Sequence, residues 1–274
     1  MRFRDQVVWI TGASSGIGEA LARAFAAEGA TLVLSSRRSG ELERVRQSCA
    51  GPDRHAVLPL DLLDRPALIP AVSRVRERFG GVDVLVNNAG VSQRALALEA
   101  TEESERRILE LDYFAPVALT KAVVPLMLAR PPGAGGIRGR IAVVSSVMGY
   151  VGTPGRSSYA AAKHALHGYF DSLRAEVHDR GLRVTLACPG YVRTAVSDNA
   201  LGPDGRARPR REATHERGTS PEGCARAILR GVAHGRNEVY VGGWEVAGIY
   251  LQRYLPGVYA RLVRRMRWNV SPTP

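Results

Sequence analysis

The chain has 274 residues, with 38 Lys+Arg against 26 Asp+Glu for a formal net charge of +12, and 45% apolar and 23% charged residues. That balance excludes a disordered segment, a collagen-like fibre or a low-complexity array, and the length suits one large domain with a sizeable core. Cys49, Cys188 and Cys224 are odd in number, far apart and form no CxxC pair, which argues against a disulfide framework or zinc ribbon and suits a reducing compartment such as the cytosol.

The first apolar run, Val7–Ile10, is too brief for a signal-peptide core and leads straight into a glycine-rich turn. Strands are expected at Val7–Thr11, Thr31–Ser35, His55–Leu60, Val82–Asn87, Arg140–Ser145, Arg183–Ala187 and Glu238–Val241, where β-branched residues cluster. Between them, apolar residues at spacings of three and four predict helices over Gly18–Glu28, Glu41–Ala50, Pro66–Phe79, Thr101–Ala129, Ser157–Arg180 and Pro221–Ala233. Near-continuous apolar strands alternating with helices predict an α/β fold: a Rossmann-type, doubly wound parallel seven-stranded sheet with helices on both faces, forming a single domain over 1–274.

The most apolar stretch, Phe114–Ala129, contains Pro116, Lys121 and Pro125, so no membrane crossing is expected. Pro131–Gly136 reads as a structural turn. The polar, arginine-rich 191–218 loop follows the sixth strand on the side where such sheets bind ligands, and is expected to be a substrate lid. Residues 244–270 are expected to form a helical extension. Its segment Tyr250–Trp268 resembles a basic amphipathic helix, which rests on an anionic membrane surface, covers the substrate pocket or packs at a subunit interface.

Lysine occurs only at Lys121 and Lys163, and the arginines are scattered among acids, as in Glu41-Leu42-Glu43-Arg44. Such faces are solvated rather than stripes for nucleic acid, so no nucleic-acid partner is expected. His164 and His167 are three apart but lack a third ligand evident in the sequence, so no metal site is expected.

Three features carry chemistry. The turn Thr11-Gly12-Ala13-Ser14-Ser15-Gly16-Ile17-Gly18 lies between a strand and a helix, where glycines let a pyrophosphate approach the backbone and the helix N-terminus donates N–H groups. Tyr159 and Lys163, four apart on one helix, share a face. An ordinary tyrosine ionises near pH 10, and a neighbouring ammonium favours its phenolate. Ser146, at the end of the fifth strand, is placed to donate to a carbonyl oxygen.

Together these motifs resemble the classical short-chain dehydrogenases/reductases, whose TGxxxGxG turn matches Thr11 to Gly18. Asn87-Asn88-Ala89-Gly90 is similar to that family's NNAG element, Ser146, Tyr159 and Lys163 to its Ser and Tyr-x-x-x-Lys, and Pro189-Gly190 and Thr194 to its PG motif and following threonine. The wording around Tyr113–Lys121 and Tyr159–Ala165 is most similar to the SDR member-7 branch. The resemblance implies cofactor contacts from Gly12, Ser14, Ser15, Gly16, Ile17, Gly18, Asp61, Leu62, Asn88, Ala89, Gly90, Tyr159, Lys163, Pro189, Gly190, Val192 and Thr194. It also implies a homodimer or homotetramer, built through the long fifth and sixth helices. One departure stands out. The family commonly has Asn as a fourth catalytic residue holding a water, and the matching position is Asp112; if the backbone carbonyl holds that water, Asp112 serves as well. An ionised Asp112 would stabilise the lysine cation but oppose a tyrosinate.

Cofactor choice is read at Ser36-Arg37-Arg38, where a carboxylate would select NAD. Its absence predicts NADP(H), with Arg37 the main 2′-phosphate partner and Arg38 facing either ligand or solvent. The expected function is an NADP(H)-dependent oxidoreductase for a secondary alcohol/ketone or aldehyde of an apolar small molecule, cytoplasmic or peripheral at a membrane. The alternative is a non-catalytic NADP(H)-binding regulatory protein, supported by Asp112 alone.

Overall fold

The computed structural model describes residues 1–196, 199–207 and 218–266; parts of the 191–218 loop and of the 244–270 extension lie outside them. Seven parallel strands, β1 (Val7–Thr11), β2 (Thr31–Ser35), β3 (Ala56–Val57), β4 (Val84–Asn87), β5 (Gly139–Val144), β6 (Leu182–Pro189) and β7 (Glu238–Val241), form one sheet in the order β3-β2-β1-β4-β5-β6-β7. The order reverses at β1, which opens a crevice at the carboxyl ends of β1 and β4.

Successive residues of each central strand feed opposite cores, which is why the strand sequences are apolar throughout. Val8 and Ile10 pack with Leu21, Phe25 and Ile228 under α1 (Gly16–Ala27), α2 (Ser39–Gln47) and α7 (Pro221–Ala233). Val7 and Trp9 pack with Leu68, Leu119 and Phe170 under α3 (Arg65–Phe79), α5 (Ala115–Ala129) and α6 (Ser157–Val177). The fully buried Trp9 indole is satisfied by donating to Ser35 Oγ at 2.9 Å. All three cysteines are buried and free.

Two elements differ from expectation. The expected third strand, His55–Leu60, shortens to two paired residues. The expected helix Thr101–Ala129 divides into α4 (Glu102–Leu109), a π-helical turn over Glu110–Phe114, and α5. Pro116 explains the widening: it has no N–H to give the carbonyl four residues back, that of Asp112, and its ring crowds that carbonyl. Taken together, Glu102–Ala129 is long and apolar enough to cross a membrane, with 39% of its most apolar window buried. Its Leu119, Val123 and Met127 pack into the sheet core. The described residues close with α8 (Ala247–Tyr254) and α9 (Pro256–Arg265), broken at Leu255-Pro256.

Candidate active site

The turn between β1 and α1 depends on glycine at two points. Gly12 has φ +65°, and a Cβ there would lie 2.8 Å from Ala89 Cα. Gly18 sits so close to the turn that a Cβ would fall 2.2 Å from the Gly12 carbonyl oxygen. Asn88 braces the turn from β4: its Nδ2 donates to the Thr11 and Gly12 carbonyls at 3.0 and 3.2 Å. The Thr11 hydroxyl accepts the Asn88 and Ala89 N–H groups at 3.0 and 3.2 Å. Ser15, the N-cap of α1, makes no side-chain cap, so the first N–H groups of α1 keep the donor capacity that a phosphate uses. This close-approach cradle and uncapped helix end fit a dinucleotide.

A cavity of about 980 Å³ runs from this turn to the C-terminal helices. Every residue expected at the site lines it except Gly18, which packs α1 against the turn instead. Arg38, whose direction the sequence left open, reaches to the turn: Nη2 lies 3.0 Å from Ser14 Oγ and 3.1 Å from Ser15 Oγ. Arg37 and Arg38 are both exposed, and both line the cavity. Asp61 Oδ1 accepts the Leu63 N–H at 3.0 Å, forming a local turn while lining the cavity.

Ser146, Tyr159 and Lys163 converge from β5 and α6. Ser146 Oγ accepts the Met148 N–H at 3.1 Å and donates to the Pro189 carbonyl at 3.3 Å, and the residue lines the cavity. Lys163 Nζ lies 5.4 Å from the Tyr159 ring centroid, donates to the Val144 carbonyl at 3.2 Å and pairs with Asp112 Oδ2 at 3.2 Å. Asp112 sits on the π-helical turn, wholly buried, and its Oδ1 accepts the Val91 N–H at 2.8 Å. Desolvation pulls the Lys163 pKa down, but the Asp112 carboxylate and Tyr159 outweigh it and hold the ammonium above its ordinary range. Burial raises the Asp112 carboxyl, a rise opposed by Lys163 and the Val91 N–H.

Sequence reasoning missed Gln93. Its Oε1 accepts the N–H groups of Ser158 and Tyr159 at 2.8 and 3.3 Å, which caps α6 from outside and fixes where Tyr159 begins its turn. It also missed Glu245, which accepts the Tyr191 and Gly243 N–H groups at 3.1 Å each. A Cβ at Gly190 would fall 2.3 Å from that carboxylate, so a larger residue there would push the Glu245 side chain aside. At the far end, Val147, Met148 and Val151 meet Tyr259, Val263 and Met266 across the cavity, so the C-terminal extension covers the pocket.

Residues 6–202 match the family model described as short chain dehydrogenase. The chain is 41% identical to a dehydrogenase/reductase SDR family protein 7-like of Anopheles gambiae, over 98% of this chain and 85% of that one. It is 38% identical to dehydrogenase/reductase SDR family member 7B of Bos taurus, over 95% and 81%. A solved short-chain dehydrogenase from Streptomyces avermitilis is similar with a TM-score of 0.78 and 31% identity, over 94% of this chain and 95% of that one.

Proposed function

The chain belongs to the short-chain dehydrogenase/reductase family, an oxidoreductase acting on CH–OH groups with a nicotinamide cofactor, and from that premise we propose that it uses NADP(H) to interconvert a secondary alcohol and ketone, or an aldehyde, on an apolar small molecule. The observation that carries the cofactor choice is Arg38 reaching Ser14 and Ser15 across the turn, beside a Ser36 where an NAD-selecting carboxylate would stand. The apolar far end of the cavity supports the substrate class.

When bound, the nicotinamide supplies or takes up the hydride. Tyr159 gives its hydroxyl proton to the forming alkoxide in reduction and takes it back in oxidation. Lys163 sets a buried positive charge beside it, held in place by Asp112 and the Val144 carbonyl. Ser146 turns its hydroxyl from Pro189 to the substrate oxygen. Asp112 therefore serves catalysis by positioning the lysine, which removes the one feature behind a non-catalytic reading.

A homodimer or homotetramer is supported by the outward side of α5, where Val117, Ala118, Ala122 and Val124 are only partly buried. Peripheral contact with a membrane is supported by the α8–α9 segment, where Tyr254, Leu255, Val258 and Leu262 are exposed.

NADPH oxidation across a panel of aldehydes and ketones, beside Tyr159→Phe and with NADPH and NADH binding, tests the reading. Turnover lost in Tyr159→Phe with NADPH preferred is the expected result. Turnover unaffected by that substitution, or a preference for NADH, overturns it.

A further inference from the structure

A second polar cluster lies behind the catalytic serine, outside the machinery described above. His167 and Asp171 are four apart on α6 and so share a helical face. Glu238 opens β7, next to Leu186 of β6. One ligand-competent atom from each of the three residues lies within 4.8 Å of the others.

The inner member has an unanswered nitrogen. His167 is 8% exposed, and its Nδ1 is buried with no hydrogen-bond partner, 3.9 Å from Glu238 Oε1. The other ring nitrogen is taken: Nε2 lies 3.0 Å from Ser145 Oγ and 3.8 Å from Cys188 Sγ. Burial lowers the imidazole pKa, which favours the neutral ring, against the pull of Glu238 and Asp171. Desolvation also opposes the Glu238 carboxylate, but the donated hydroxyls of Tyr150 and Tyr240 outweigh it and hold the carboxylate ionised and aimed. Arg174 donates to Asp171 Oδ1 at 2.5 Å, which orients the exposed third member at the solvent side.

We propose that His167 Nδ1, Asp171 and Glu238 bind one divalent transition-metal ion of the Zn²⁺ class, tying α6 to β7. One imidazole and two carboxylates are a ligand set Zn²⁺ accepts, with water completing the shell on the Asp171 side. Ligands about 2.1 Å from the ion stand roughly 3.4 Å apart in a tetrahedron, so the side chains close by about 1 Å on binding. The outer arrangement is that of a built site: Ser145 takes the second imidazole nitrogen, and two tyrosines and an arginine orient the carboxylates. Metal on Nδ1 leaves the ring proton on Nε2, facing Ser145, so the ion fixes the imidazole tautomer directly behind Ser146 and on the helix that carries Tyr159 and Lys163. The competing state is a proton on Nδ1 facing Glu238.

The test is metal binding by the full chain after stripping with a chelator. Zn²⁺ is titrated by calorimetry, and Co²⁺ by its visible absorption. One ion per chain is expected, with a raised melting temperature. Affinity should fall by at least about tenfold in Asp171→Asn and in Glu238→Gln, and stay unchanged in His164→Gln, which alters the neighbouring histidine on the same helix. Asp171 is exposed, so its variant retains the fold even if a buried substitution does not. No binding by the parent chain leaves the protonated pair and overturns the proposal. Binding that survives both carboxylate substitutions, or is lost in His164→Gln, overturns it as well.

Discussion

Lys163 Nζ stands 3.2 Å from Asp112 Oδ2 in a pair sealed from solvent on both sides, and the other oxygen of the same carboxylate holds the Val91 N–H. One side chain thus fastens the loop after β4 to the helix bearing Tyr159. It also sets a negative charge against a tyrosinate. Asp112→Asn keeps an acceptor for Val91 and removes that charge. The alcohol-oxidation limb of the pH–rate profile should move to lower pH by about one unit, with carbonyl reduction near neutrality little changed. An unmoved oxidation limb would count against this account. Asp112→Ala strands both the ammonium and the Val91 N–H, and chemical denaturation should register a loss of about 3–5 kcal/mol.

Arg38 is the basic residue that the glycine turn holds in place. In Arg38→Ala, a charge-assisted contact to a 2′-phosphate goes, and NADPH should bind about 10- to 100-fold more weakly while NADH changes little. Ser36→Asp should shift preference toward NADH by supplying the carboxylate that a free ribose 2′-hydroxyl uses. Fluorescence titration of both dinucleotides measures each effect, and an equal loss for NADPH and NADH in Arg38→Ala would mean that Arg38 only braces the turn.

What the sequence disclosed is what is local. The ends of β1, β2, β7 and α7 follow from apolar periodicity, and the glycine turn and the Tyr159–Lys163 pair from spacing along one element. The π-helical turn at Asp112 was missed because a helical pattern reads through one extra residue in a turn, although Pro116 marked the spot. Gln93 was invisible because it caps a helix 65 residues away. Arg37 and Arg38 are adjacent and alike in type, and the contact of Arg38 with the turn's two serine hydroxyls, more than 20 residues upstream, is not visible in the spacing. The sequence reading set His167 beside His164 alone. Glu238, brought against His167 by the pairing of β6 with β7, is out of reach of any spacing argument.

His55 gives the fold a defined acid sensitivity. It is buried, its Nδ1 accepts the Leu32 N–H at 3.2 Å, and its Nε2 donates to the Ala50 carbonyl at 3.1 Å. Burial lowers its pKa below the ordinary 6.5, and a proton on Nδ1 would face the Leu32 N–H. A depressed folded value means stability is present above pH 6.5 and is lost as pH falls through it toward the folded value. Melting temperature should therefore decline as pH falls below about 6.5. His55→Gln should flatten that decline while costing about 1–2 kcal/mol at neutral pH. A slope identical in parent and variant would assign the sensitivity elsewhere.

The two sides of α9 do different work. Tyr259 and Val263 turn inward to line the cavity, and the Tyr259 hydroxyl donates to the Gly152 carbonyl at 3.1 Å. Val258 and Leu262 turn outward at 42% and 48% exposure, flanked by Leu255 and Tyr254 and interspersed with Arg261, Arg264 and Arg265. An exposed apolar face with cationic flanks suits an anionic bilayer, where each basic residue contributes about 1 kcal/mol and salt weakens the attraction. The chain should float with vesicles containing phosphatidylserine, less with pure phosphatidylcholine, and be released by salt. Leu262→Asp should abolish flotation without changing NADPH binding, since the substitution points away from the cofactor turn. Because the same helix closes the pocket, turnover of an apolar carbonyl dissolved in those vesicles should fall in Leu262→Asp, while turnover of a water-soluble one is retained. Flotation that is indifferent to lipid charge and to Leu262 would reassign this face to a subunit contact, which the concentration dependence of the oligomeric state would then reveal.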